Sequence, residues 1–274
     1  MSSALEKSLA ILELLAESPE GLQVSAIAST LEIPVSGVHR QLQELARLGY
    51  VRQERNHGSY ILTIKLAAMG LGFLGRSGVT DIAQPILDRL AAQTEELIRL
   101  SVLDGGDLIW VAVAQGATGG LRYDPGREQG VVVHLATSAG GQALLAAMTD
   151  EEALTYVSKQ GMKPTAFVPG SGAPRTIKEL LEELAETRRR GYSVSVNSYL
   201  EGMAAMAVPV RYGPQHTVIG CLSVAGPSVR MNAAKIAEFA PILSEAAGEL
   251  GAAAHASQYF HSLHHEPKGA SGDP

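Results

Sequence analysis

Apolar residues recur with helical spacing through the first fifty positions and alternate in strand fashion through much of the second half of the chain. Leu5, Leu9, Leu12 and Ala16 share one face, widened by Ile11, Leu14 and Leu15, so the spacing predicts a helix over residues 5–17 that Pro19 and Gly21 end. In QVSAIASTL, Ser25 is placed to cap a short helix carrying Ile27, Ala28 and Leu31. The step EIP at 32–34 stops it, because the residue before a proline disfavours the helical region. A third helix is predicted in SGVHRQLQELARLG, with Ser36 as its cap, Val38, Leu42, Leu45 and Ala46 inward, and Gly49 ending it in a left-handed conformation. YVRQERNHGSYIL then alternates about NHGS and reads as a hairpin. Three helices, a short break between the second and third, and a hairpin make a winged helix-turn-helix. A generic helical domain closed by a hairpin is the plainer alternative.

From Lys65 to Leu100 the pattern is helical again, with Ile86, Leu87, Leu90, Leu97 and Ile98 as an apolar stripe. The glycine-rich MGLGFLGRSG within it predicts a linker helix and a break, placing a domain boundary near 75–80. LIRLSVLDGGDLIWVAVAQ is two apolar runs about a DGGD turn, and YSVSVN, MAAMAVPV and VIGCLSVAG are further strands. Helices are predicted at 141–160, 176–190 and 232–257. The expected division is a winged helix-turn-helix over 1–64, a linker helix over 65–79, an α+β domain over 80–258 and a disordered tail over 259–274.

Composition adds little to this picture. The 274 residues are 46% hydrophobic and 18% charged. No apolar run reaches the roughly 18 residues of a membrane span. The N-terminus carries acids within its apolar pattern and no basic leader, so neither membrane nor export is expected. The single cysteine, Cys221, fits a buried apolar role in a reducing cytoplasm. Charge matters locally. The net charge is −6, yet residues 35–65 set Arg40, Arg47, Arg52, Arg55 and Lys65 against Glu44 and Glu54 alone, with His39 and His57 besides. Phosphate binding depends on that local field. Ser36, His39, Arg40 and Gln43 lie on the outward face and N-terminal side of the third helix, where base edges and phosphates are met.

These segments carry a resemblance. ALEKSLAILELLAE, LQVSAIASTLEIPVSGVHRQLQELARLGYV and GSYILTIKLAAMG in the first half, and LATSAGGQALLA, RRRGYSVSVNSYLEGMAAMAVPV and VIGCLSVAGPSVRM in the second, resemble the IclR family of bacterial transcriptional regulators. The resemblance implies a winged helix-turn-helix joined by a linker helix to an α+β GAF-like effector-binding domain. It further implies a homodimer or homotetramer on a double-stranded operator that is an inverted repeat, and a small organic acid or aromatic metabolite as effector. Val35 stands where family members often carry lysine and Gly37 where many carry threonine. DNA reading would then rest on Ser25, Ser36, Gly37, His39, Arg40, Gln43 and a wing of Arg55, Asn56 and His57. Ala205 occupies the place of a frequent cysteine.

For the effector, Thr137, Ser138, Ala139 and Gly140 precede a helix whose backbone N–H groups could receive a carboxylate, or Ser138 could simply cap it. Ala204, Ala205, Ala207 and Ser223, with Met203 beside them, leave room for a ligand or for close packing of helix on sheet. Asn197 and Glu201 could orient a ligand or face solvent. GLGFLG at 70–75 follows a helix and not a strand, so no dinucleotide cofactor is expected. The histidines 255, 261, 264 and 265 lack the packed neighbours that fix metal geometry. No catalytic arrangement is legible, and Cys221 has no activating partner. Two rival functions remain: a DNA-binding protein whose second domain only oligomerises, and an enzyme with an N-terminal interaction module.

Overall fold

A computed structural model describes residues 3–54, 58–123, 128–257 and 259–260, and the chain divides into two compact units, residues 1–76 and 77–274. The first begins with α1 (Ala4–Ala16), whose end is closed by a reciprocal box in which Ser3 and Glu6 satisfy each other's backbone N–H. α2 (Val24–Thr30), α3 (Val35–Arg47), β1 (Val51–Gln53), β2 (Tyr60–Leu62) and α4 (Lys65–Ser77) follow. β1 and β2 pair antiparallel. Ile11, Leu15, Ile27, Val38, Leu42 and Tyr60 form the core of this unit.

Two caps differ from expectation. α2 starts at Val24 after Gln23, and Ser25 sits inside its first turn making no cap. The chain is committed earlier because Leu22 exchanges both backbone hydrogen bonds with Tyr60, at 3.0 and 2.8 Å. α3 likewise starts at Val35 after Pro34, whose carbonyl accepts from Gly37 and Val38, so Ser36 lies within the helix. Gly49 does adopt the left-handed region, at φ +80°, where a side chain would be strained.

The second unit is built on a five-stranded sheet in the order β4-β3-β7-β6-β5, with every neighbouring pair antiparallel. Its strands are β3 (Leu97–Asp104), β4 (Asp107–Gln115), β5 (Ser193–Val196), β6 (Met203–Tyr212) and β7 (Thr217–Pro227). One face buries Ile98, Leu100, Met206, Val208, Leu222 and Val224 against α5 (Val79–Thr94) and α9 (Ala233–Ala253). The other presents Leu108, Trp110, Ala207 and Cys221 to α6 (Ala139–Ala146), α7 (Asp150–Gln160) and α8 (Ile177–Arg190). Period-two alternation thus fills two cores from one sheet.

Three boundaries depart from the sequence expectation. The helical reading to residue 100 stops at Thr94, because Glu95 turns left-handed at φ +56° and Leu97 and Ile98 open β3. The single helix expected over 141–160 is two, since Thr149 and Glu152 form a capping box that starts α7 afresh. The packed chain also runs past 258, with Phe260 only 6% exposed in the α5–α9 core.

Candidate functional sites

The candidate nucleic-acid surface is α3. Its inward residues Val38, Leu42 and Leu45 are buried, which turns Ser36, His39, Arg40 and Gln43 outward along one face. All four are exposed, and none makes a hydrogen bond or ion pair among the described residues. Arg47, by contrast, is held by Glu44 at 2.8 Å. Gly37 is half-buried, and a Cβ there would meet Ile33 at 3.3 Å, so the missing side chain lets α3 sit close to the turn before it. Ser25 is exposed in α2. The wing residues Arg55, Asn56 and His57 lie outside the described residues. On either side of them, Gln53 donates to the Gly58 carbonyl at 3.0 Å and Glu54 N–H to the Ser59 carbonyl at 2.8 Å.

The candidate effector site lies on the α6–α8 side of the sheet. Ser138 caps α6, accepting from the Gly141 N–H at 3.0 Å and donating to the His134 carbonyl at 2.7 Å. The carbonyl of Thr137 collects two hydroxyls, Ser195 at 3.1 Å and Ser198 at 2.8 Å. Ala139 is buried, and its carbonyl accepts from Ser193. A Cβ on Gly140 would come into ordinary van der Waals contact with Ser101 and Cys221, and one on Gly141 would collide with the Leu135 backbone at 2.4 Å. This end of α6 is therefore closely packed, and two of its first four N–H groups, those of Gly141 and Gln142, are taken by Ser138.

Register separates the remaining candidates. Ser223 is buried on the α6 side and reaches the Arg99 carbonyl at 3.4 Å. Met203 is half-buried at the rim of a cavity. Ala204 belongs to the core against α5 and α9, so its side chain is on the opposite face from Ser223. Asn197, at φ +51°, accepts from the Gly202 N–H at 2.9 Å, and the exposed Glu201 accepts from the Ser171 N–H at 2.7 Å. Both brace the loop between β5 and β6.

Sequence reasoning passed over the group at the centre of this face. Arg99 on β3 is buried and ion-paired to Glu128 at 2.6 Å, with the two side chains 7% and 5% exposed. The second Glu128 oxygen accepts from the Tyr123 hydroxyl at 2.7 Å, and the guanidinium lies 4.6 Å from the Trp110 ring. Trp110 meets Tyr199 edge-on at 5.5 Å, and Phe167 stacks obliquely on Tyr199 at 4.6 Å. The Arg99 Nε has no partner among the described residues although it is fully buried. Arg99, Tyr123, Ser195, Tyr199, Met203 and Ala205 line a cavity of about 20 Å³, room for about one water. Burial, then the Glu128 carboxylate, push the Tyr199 hydroxyl up to about 12. The Tyr123 hydroxyl rises further, through burial and its bond to Glu128. Nearby, burial lowers His134 and raises Glu183 to about 7, opposed by its bond from Gln142. Two larger clefts, of about 530 and 760 Å³, open at the surface beside Arg211 and Arg230; the second holds the buried Glu96, whose two oxygens accept from the partly exposed Arg230 at 2.7 and 2.8 Å. A lone arginine inside LIRLSV was the one legible signal.

Burial pushes the Cys221 thiol up to about 12, which leaves it unfit as a nucleophile. Among the described residues no cluster of three or more metal-ligating side chains occurs, and no helix is long and apolar enough to cross a membrane.

Comparison with known proteins agrees with this layout. Residues 4–55 match the IclR helix-turn-helix domain, and residues 72–252 match the bacterial transcriptional regulator IclR C-terminal domain. The chain is 28% identical to the HTH-type transcriptional regulator XynR of Escherichia coli over 244 residues, covering 89% of this chain and 93% of the relative. It is 26% identical to the transcriptional repressor IclR of the same organism, covering 90% and 88%. The IclR transcriptional regulator of Alicyclobacillus acidocaldarius superposes with a TM-score of 0.76 at 22% identity, covering 92% and 99%. An IclR homologue of Microbacterium hydrocarbonoxydans, crystallised with 4-hydroxybenzoate, gives 0.72 at 24% identity, covering 93% and 100%. Its relatives being named as regulators and repressors, the chain belongs to the IclR family of bacterial transcriptional regulators.

Proposed function

We propose that this regulator releases or engages its operator in response to a small carboxylate, aromatic or otherwise, held in the second unit. The observation that carries the sensing half is the buried Arg99. Stability alone does not call for a desolvated guanidinium inside a sheet, because an apolar side chain of similar volume would serve as well. A cationic group among Trp110, Tyr199 and Phe167 is suited to an organic acid, and the 4-hydroxybenzoate bound by the Microbacterium homologue is of that chemistry. Thr137, Ser138 and Ser223 would act by holding the α6 end in place. The cavity of about 20 Å³ means that a ligand enters only by displacing side chains.

DNA reading is assigned to Ser36, His39, Arg40 and Gln43 of α3, with the wing residues Arg55, Asn56 and His57 and with Ser25 on the phosphate backbone. A homodimer or homotetramer would place two α3 helices in successive major grooves of an inverted repeat, about 34 Å apart. Exposed Leu5 and Leu9 on α1 and Met69 and Leu71 on α4 give the first unit apolar surface for a second copy to cover. The experiment is a thermal-shift panel of carboxylic acids, followed by operator binding at fixed salt with each compound that stabilises the protein. Stabilisation by none of them, in a folded protein, would favour a second domain that only oligomerises.

A further inference from the structure

Arg99 and Glu128 differ in how firmly each is placed. Arg99 stands on an interior strand, paired on one side to Val113 of β4 and on the other to Ser223 of β7, so its backbone has nowhere to go. Glu128 comes from a connecting segment between β4 and α6. That segment is pinned by its backbone, with Gly130 N–H donating to the Trp110 carbonyl at 2.8 Å and Trp110 N–H to the Val131 carbonyl at 3.2 Å. The carboxylate therefore arrives at the guanidinium on a side chain alone, held there by Tyr123. Beside the pair lies the small cavity floored by Ala205 and walled by Tyr199, and the unmet Arg99 Nε is a buried donor in the same place. An interior cation with one fixed and one detachable partner has the form of a binding site occupied by the protein's own carboxylate.

We propose that Glu128 is a resident substitute for the ligand, and that a small organic acid binds by replacing the Glu128 carboxylate on Arg99 with its own. The ligand's body then lies against Tyr199 and Ala205, in space the Glu128 side chain vacates. This rests on the sensing role proposed above and adds to it the cation that anchors the acid and the internal competitor that sets how tightly it binds.

The test uses the full chain, with benzoate as probe and benzamide as its uncharged counterpart. In Glu128→Gln, benzoate should bind at least about tenfold more tightly than in the unsubstituted protein by titration calorimetry, with benzamide unchanged. In the double variant Arg99→Gln/Glu128→Gln the gain should disappear. If Glu128→Gln melts too low for titration, a rise in its melting temperature with benzoate, absent with benzamide and absent in the double variant, is the same readout. Equal benzoate affinity with and without Glu128, no benzoate binding to Glu128→Gln, or a gain that survives removal of Arg99 overturns the proposal. Binding to a duplex from upstream of the protein's own coding sequence, measured alongside, separates the two readings. Benzoate bound by Glu128→Gln with unaltered DNA affinity supports the carboxylate exchange and removes sensing as its purpose. A compound that releases DNA equally from the unsubstituted protein and the double variant supports sensing and overturns the exchange.

Discussion

Replacing Glu128 by glutamine leaves the Arg99 guanidinium inside the second unit with no opposing charge. The two side chains are 7% and 5% exposed and 2.6 Å apart, so water does little to screen the loss. Breaking a buried pair from one side costs about 3–5 kcal/mol. For a unit of this size each kcal/mol moves the melting temperature by about 2–4 °C, so the single variant should melt roughly 6–20 °C lower. Arg99→Met with Glu128→Leu removes both charges and should fall within about 1 kcal/mol of the unsubstituted protein, or exceed it. Trp110 is the only tryptophan and lies against the guanidinium, so its fluorescence during urea unfolding reports this unit directly. With Arg99→Met and Glu128→Leu also made singly, the unsubstituted protein, the two single variants and the double variant form a double-mutant cycle. A coupling energy below about 0.5 kcal/mol would mean that the two groups do not depend on each other and would refute the reasoning.

Further outcomes follow from other positions. Arg40→Ala should weaken DNA binding and lower the salt slope by about 0.9 for one lost phosphate contact, read from affinities across a salt series; an unchanged slope removes Arg40 from the interface. Ser138→Ala should cost about 1 kcal/mol, the worth of a helix cap, in thermal unfolding of the second unit. Glu183 is raised from 4.5 to about 7 by burial, so the folded state holds its proton more tightly than the unfolded chain. Its contribution is full below pH 4.5 and is lost as pH rises through about 7. Glu183→Gln should flatten the decline of melting temperature over that window, and a parallel decline in both proteins refutes the assignment. Cys221 should resist a thiol reagent in the folded protein and react on unfolding.

The first unit was legible nearly throughout because its helices bury one face each, and Val38, Leu42 and Leu45 declare that face by spacing alone. What failed there was capping and part of two faces: Leu5, Leu9 and Ala16 of the stripe expected on α1 are exposed while Ile11, Leu12 and Leu15 are buried, and Ala46 of α3 is exposed. Ser25 and Ser36 are good cap residues, but backbone bonds from Leu22 to Tyr60, across a separation no local pattern reveals, start α2 before Ser25. In the second unit the strands were legible and their faces only in part. Ala204 and Ala205 look alike in sequence, yet the register of β6 puts Ala204 in the core against α9 and Ala205 against the core on the α6 side. Thr137 and Ser138 were rightly singled out as an α6 terminus, while the Arg99–Glu128 pair spans 29 residues and depends on a segment with no strand periodicity of its own.

The segment that carries Glu128 has one more consequence. β4 is an edge strand of nine residues, and long bare edges recruit other chains. Here Val133 N–H bonds to the Leu108 carbonyl, Val132 bridges to Ile109, and Gly130 and Val131 pair with Trp110, so the edge is closed along part of its length. Any rearrangement that lifted this backbone to admit a ligand would uncover a ready template for aggregation. Motion confined to the Glu128 side chain avoids that hazard, and the amide hydrogens of Trp110 and Val133 should stay protected from exchange whether or not an acid is bound.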